Sequence, residues 1–495
     1  MGVLDLVIIF GYLAAVLAAG FWFGRRQDST SRYFFGGHQV PWWAISASIV
    51  ATETSTITFI SVPGTAYARG GDFRFLQLVL GYLVGRIVIS IVFIPSYFRG
   101  ELATVYQLLH ERFGGKVRAL AASLFVVMRC IADGVRLLLT GIVLAAVYRA
   151  FVPTAGTTET ILASVILLGA VMIVFSFFGG IEAIVWIEVV QLAIYVGGAI
   201  AAGIVLSRSI PGGLGAAIEL GESFGKFRVF DFAFDMTRTY TFWAGLIGGC
   251  FLTMSTHGTD QFMVQRYLCT NKPRSATTAL LTSGAVILAQ FAGFLLIGVL
   301  LFAFYRPDRL ADYATGHVAA PFTASDQVFP DFITTGLPTG LAGLVVAAIF
   351  AAALSSSLNA IASTTVNDLY TPLVKGRDDR HYLRVSRIVT VIAGLVQIAV
   401  GVGLMAGTRS ALDMALSVAS LVNGPILGVF LLGATRRGSP GSALAGMSVG
   451  IAAVTAVWLG TPVAWPWYAA IGSLTTLLAG LLADALIRRS RRLPA

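Results

Sequence analysis

Residues 46–59 read Ser46-Ala-Ser-Ile-Val-Ala51-Thr52-Glu53-Thr54-Ser55-Thr56-Ile57-Thr58-Phe59, with Pro63 and Gly64 a turn later. The stretch lies within an apolar run of membrane-crossing length, yet it gathers hydroxyls around a carboxylate near the middle of that run. Without water, backbone groups must bond to one another, which helices do. A helix can open there when Ser and Thr side chains bond its freed groups, and the opened carbonyls then face inward as hard oxygen ligands. Hydroxyl-rich helices also pack closely against neighbours, but Glu53 has no place in a mere packing face. The stretch predicts a broken transmembrane helix with oxygens suited to Na⁺.

The rest of the chain agrees. Of its 495 residues 57% are hydrophobic and 12% charged, against about 25% charged in soluble domains. Apolar runs recur at approximately 3–24, 40–68, 75–98, 118–150, 159–178, 182–207, 240–265, 276–304, 339–370, 384–406, 410–435, 441–459 and 466–487. Each is long enough to cross a hydrocarbon core of about 30 Å as a helix. The expectation is an all-α integral membrane protein of about 13 transmembrane helices, forming a single transmembrane domain over 1–495.

The net charge of +10 does not point to nucleic acid, because Lys and Arg sit in short loops on alternate sides of the runs. One set of loops, from Arg25 and Arg26 to Arg488 and Arg489, holds roughly 21 positive charges against roughly 10 in the other. The positive-inside bias places that set in the cytoplasm, the N-terminus outside and the C-terminus inside, in a cell membrane. Asp5 precedes the first apolar run with no basic segment before it, so a retained helix is expected rather than a signal peptide. Cys130, Cys250 and Cys269 lack metal spacing and read as buried thiols.

The ninth run offers a second half-site. Residues 351–359 (AAALSSSLN) lead into Ser363, Thr364, Thr365 and Asp368, and adjacent hydroxyls supply neutral oxygens for a hard monovalent cation. Taken alone, such small residues equally suit a helix–helix contact. Ionisable residues at depth are functional candidates because an unpaired one costs several kcal/mol. Arg129, Asp133 and Arg136 stand at helical spacing, so Asp133 can pair with both arginines. Arg86, Glu53 and Glu188 join Arg136 as members of a candidate ion-pair network. An arginine facing a cavity can hold a carboxylate bidentately. Asp260 and Gln261 are expected at the end of their span in a capping or gating role, and His257 as a satisfied core residue. No H-E-x-x-H, G-x-S-x-G, phosphate-binding loop or C-x-x-C is present, so neither an enzyme nor a nucleotide-driven pump is expected.

Five stretches in this order resemble the sodium/solute symporter family, which includes bacterial proline, sialic-acid and galactose carriers and animal glucose and iodide carriers. They are residues 33–37 (YFFGG), 51–59 (ATETSTITF) with Pro63, 179–191 (GGIEAIVWIEVVQ), 260–267 (DQFMVQRY), and 337–344 (LPTGLAGL) running on to Asn359 and Asp368. The resemblance implies the leucine-transporter fold. A leading helix at about 3–24 precedes a 5+5 inverted repeat at about 40–406, and two trailing helices follow at about 410–487.

The resemblance also implies Na⁺ as the coupling ion. Its ligands would be backbone oxygens of Ala51 and Thr54, with Ala352 and the hydroxyls of Ser355 and Ser356. Many relatives have three more residues between the paired serines and the Leu-Asn that follows. Aligned from Pro338 the serines are ligands, and aligned from Asn359 their places fall to Ala352 and Ala353. Some sialic-acid carriers use an acidic residue for a second ion, and Glu188 falls at that position. Substrate contacts are implied near Ser55, Thr58, Gln77 and Arg136, with Glu53 beside them. The solute expected is an organic anion or a sugar-like molecule, moved by alternating access. A proton-coupled or ion-independent carrier of the same fold is the alternative, with Glu53 or Glu188 titrating in the proton-coupled case, and a transporter-derived sensor is the third reading. The bilayer and the solute are the expected partners, with the oligomeric state left open, a monomer included.

Overall fold

A computed structural model describes residues 1–490 apart from 26, 101, 153, 306–321, 323–324, 355–356 and 406–410. Every regular element among the described residues is helical. Fifteen helices carry the architecture: α1 (Val3–Gly24), α2 (Trp42–Glu53), α3 (Thr56–Tyr67), α4 (Phe75–Val92), α5 (Gly115–Phe151), α6 (Thr157–Ser209), α7 (Gly249–Gly258), α8 (Gln261–Leu268), α9 (Pro273–Tyr305), α10 (Leu341–Leu354), α11 (Leu358–Thr364), α12 (Asp379–Gly403), α13 (Ala411–Ala434), α14 (Pro440–Gly460) and α15 (Pro466–Ser490). Eight of them are long and apolar enough to cross a membrane, and the bent pair α2–α3 adds a ninth, among the described residues.

The predicted break is present. α2 ends at Glu53, and the chain leaves helical geometry at Thr54 (φ −79°, ψ 55°). The hydroxyls do the work expected of them. Thr54 Oγ1 donates to Val50 O at 2.7 Å, and Thr58 Oγ1 donates to Glu53 O at 2.9 Å. Ser55 caps the next helix, and the axes on either side differ by 57°. The Thr58 and Ser55 hydroxyls thus replace bonds that an uninterrupted helix would have made, while Val50 O keeps its helical donor, Thr54 N, as well.

Two further interruptions shape the molecule. α6 has 53 residues, about 80 Å at 1.5 Å per residue, and turns at Gly180 with φ 62°. A Cβ there would strike Gln27 and the carbonyl of Tyr33 at 3.0 Å, so the left-handed turn and the close approach both require glycine. This is the boundary expected between the fifth and sixth runs.

The second interruption was not foreseen. The run at 240–265 is not continuous: a π turn at Ala244–Gly248 feeds α7, the chain breaks at Thr259 and Asp260, and α8 continues to Leu268. Asp260 caps α8 by accepting from Phe262 N at 2.9 Å. It lies buried in this break rather than at the end of a span.

α1 packs against α6 and α10. Asp5 explains the latter contact: its carboxylate accepts from Gly340 N at 2.7 Å and Gly343 N at 2.8 Å, at the start of α10. A helix N-terminus with unpaired N–H groups and a positive dipole favours such an anion. α13, α14 and α15 pack mainly on one another.

Candidate functional site

A cavity of about 200 Å³ opens where α2 and α3 part. The break contributes Thr52, Glu53, Ser55, Thr58 and Val62. Phe75 and Tyr82 come from α4, Arg129 and Arg136 from α5, Thr256 and His257 from α7, and Phe262 and Met263 from α8. Phe291 of α9 and Asn423 of α13 complete the wall. The geometry follows from the interruptions, since side chains at a helix break are presented to the space between the halves.

Charge in this wall is organised in pairs. Arg86 Nη2 lies 2.5 Å from both oxygens of Glu53, and His257 Nε2 is 2.6 Å from Glu53 Oε1. Arg129 pairs with Asp260 across helices, and its guanidinium lies 4.6 Å from the centre of the Phe262 ring. Arg136 faces Asp133 at a looser 3.5 Å, because Asp133 is drawn to Ser357, accepting from its N at 3.1 Å and from its hydroxyl.

Two sequence expectations change here. Arg129 does not pair with Asp133, despite the helical spacing, because Asp260 reaches it from the α7–α8 break. The four-residue network divides: Glu53 pairs with Arg86, while Glu188 belongs to a separate buried cluster. In that cluster Arg266 Nη2 donates to Glu188 at 2.7 Å, Thr52 Oγ1 donates to it at 3.0 Å, and Ser48 also donates. His257 is buried and partnered, as expected, and it also lines the cavity.

The remaining candidates are placed as follows. Ser55 and Thr58 line the cavity with their hydroxyls 3.4 Å apart. Gln77 does not reach it. Its Oε1 accepts from Asp231 N at 3.0 Å and its Nε2 donates to Tyr240 O at 3.3 Å, so it holds the segment before α7. Ala51, Thr54 and Ala352 are buried, and α10 packs against α3. Ser355 and Ser356 lie outside the described residues.

Asn423 escaped the reading, although a polar residue directly before Gly424 and Pro425 in an apolar run was a signal of the same kind as Glu53. Phe262 and Met263 carried no such signal, being ordinary apolar residues whose role depends on the break beside them.

The family model described as the sodium:solute symporter family matches residues 33–450. The chain is 30% identical to the sodium/sialic acid symporter of Proteus mirabilis over 99% of its own length and 97% of the relative's. It is 31% identical to the sodium/sialic acid symporter of Aliivibrio fischeri, over 99% and 94%. A solved structure of a substrate-bound, outward-open Na⁺-coupled sialic acid symporter superposes with a TM-score of 0.85 at 30% identity, covering 98% of each chain.

Proposed function

Because the chain belongs to the sodium:solute symporter family, whose members named above are membrane transporters and not enzymes, we propose that it takes up a small organic anion together with Na⁺ by alternating access. Acidic sugars of the sialic-acid class are the first candidates. The architecture proposed is the leucine-transporter fold, with a leading helix, a five-plus-five inverted repeat and two trailing helices. Thirteen crossings result when α6 is divided at Gly180 and α7–α8, α10–α11 and α13 each count as one. The N-terminus is then outside and the C-terminus cytoplasmic.

The observation that carries this reading is the break at Thr54 and Ser55, opening on a cavity, with α10 packed against α3. The carbonyls of Ala51 and Thr54 sit where a helix end lacks its usual donors, and with Ala352, Ser355 and Ser356 they would take Na⁺. Ser55, Thr58 and Arg136 would take the solute, with Glu53 held alongside by Arg86. The charges explain why ion and solute would travel together. Arg86, Arg129 and Arg136 are each matched by one carboxylate. A monoanionic solute therefore adds a charge that one Na⁺ offsets, and each favours the other's binding, typically by about 1–3 kcal/mol. The proton-coupled alternative is weakened because Glu53 and Glu188 each face a guanidinium.

The test replaces Ser355 and Ser356 by Ala in proteoliposomes loaded to read uptake of radiolabelled sialic acid. Na⁺ stimulation is expected to fall to background. Undiminished stimulation would end the ion-site assignment, and uptake driven by a pH gradient without Na⁺ would establish the alternative.

A further inference from the structure

The segment between α6 and α7 carries a lysine that the transport site does not use. Lys226 follows the short helix Gly213–Ser223 and is only 1% exposed. Its Nζ donates to the carbonyls of Ala66 (2.8 Å), Tyr67 (3.2 Å), Ala68 (3.0 Å) and Gly71 (3.3 Å). It also lies 4.3 Å from the centre of the Phe302 ring on α9. These carbonyls form the C-terminal end of α3 and the turn beyond it, where the helix dipole is negative and the last carbonyls lack helical donors.

A loop lysine ordinarily keeps its ammonium in water, and burial is tolerable only with acceptors of this kind. The same segment is tied to the start of α4, since Arg74 Nη1 donates to Asp231 at 3.2 Å. It therefore bridges the second half of the broken helix and the helix that follows. Val62, which lines the cavity, is one helical turn from the carbonyls that Lys226 holds.

We propose that Lys226 is a positioning residue for transport, an ammonium latch that holds α3 against its neighbours and whose release opens the cavity toward the side on which this segment lies. The symporter reading enters only in taking that side to be external. Burial pushes the Lys226 ammonium down to about 7, with Asp72 opposing the shift. Asp72 faces it from the turn after α3 and is itself paired with Arg74 at 2.6 Å. The Tyr67 carbonyl faces it from α3 and the Phe302 ring from α9, while Glu222 and Arg228 on its own segment are exposed. The ammonium is therefore held below about pH 7 and lost as pH rises through that value, so the latch weakens toward alkaline pH.

Val62→Cys in the full chain, reconstituted in vesicles, reports the opening through its rate of modification by a membrane-impermeant cationic thiosulfonate. The label is counted in excess of the parent's three cysteines and divided by the rate at Leu214→Cys, an exposed position on the same segment, which divides out the rise in thiolate that an accessible cysteine shows with pH. Lys226→Met is expected to raise the normalised rate about five-fold or more at about pH 6.5, as loss of a charged donor implies. Without the substitution the rate should climb between about pH 6.5 and pH 9, and in Lys226→Met it should be flat. An unchanged rate in Lys226→Met, or a flat profile in the unsubstituted background, overturns the latch. If Lys226→Met does not fold, the pH profile of the unsubstituted background decides alone. Labelling needs no coupling ion, so a latch that behaves as described while uptake ignores Na⁺ would overturn the symport reading and leave the latch standing.

Discussion

Glu53 and Glu188 are carboxylates within apolar spans, and each meets a guanidinium from another helix, Arg86 of α4 for the first and Arg266 of α8 for the second. Their surroundings differ. Both partners of the Glu188 pair are walled off, with side chains 0% and 1% exposed, and Ser48 and Thr52 donate to the carboxylate as well. Glu53 is 13% exposed and lines the cavity. Nε and Nη1 of its partner Arg86 lack hydrogen-bond partners among the described residues. Ion-pair chemistry alone therefore does not distinguish a strut from a binding wall. Exposure to a shared cavity, and donors left over after the pair is made, do distinguish them.

The largest effect expected is at the strut. Arg266→Met leaves Glu188 charged and enclosed, a change that costs about 3–5 kcal/mol in comparable buried pairs. Thermal unfolding in detergent should show it, and the double replacement with Glu188→Gln should recover most of the loss. Failure of that recovery would mean that Arg266 acts through its contact with the Phe262 ring, 4.4 Å from its guanidinium, and not through Glu188.

Glu53→Gln should be milder for the fold and harsher for function. A partner of a charged hydrogen bond is worth about 1.5–3 kcal/mol, and the amide oxygen of Gln can still accept from the buried Arg86 guanidinium. Uptake should nevertheless fall by about ten-fold or more, with the loss in apparent affinity for solute and Na⁺. Equal uptake defects in Glu53→Gln and Glu188→Gln, at equal folded protein, would break the comparison.

Gln77→Ala should do least, about 1 kcal/mol for a lost neutral hydrogen bond. Because Gln77 holds the segment before α7, the change should appear as altered labelling of Val62→Cys more than as altered solute affinity at equilibrium. A purely affinity-based defect would return Gln77 to the solute contacts that the family resemblance implied.

Much of this was legible in the chain. The break at Thr54 was readable because hydroxyls and a carboxylate in an apolar run are locally anomalous, and no packing face requires them. Gly180 fell between two runs that were each already of bilayer length. The break at Thr259 and Asp260 was not readable in the same way, since an aspartate late in a weakly apolar run equally describes a span reaching its end. Arg129 shows the other limit. Helical spacing made Asp133 a sound partner, yet a partner 131 residues away in sequence took its place, because α7 and α8 part beside it.

The amino-acid order by itself determined that this is a many-helix membrane protein, which family it resembles and where its second apolar run opens. Those properties rest on local chemistry: run length against bilayer thickness, and polar atoms that hydrocarbon will not solvate. Only the tertiary structure decided which carboxylate answers which arginine, that Gln77 faces away from the cavity, and that Lys226 closes the end of α3. Pairings of that kind depend on distances between helices, which a side chain's own neighbours in sequence do not encode.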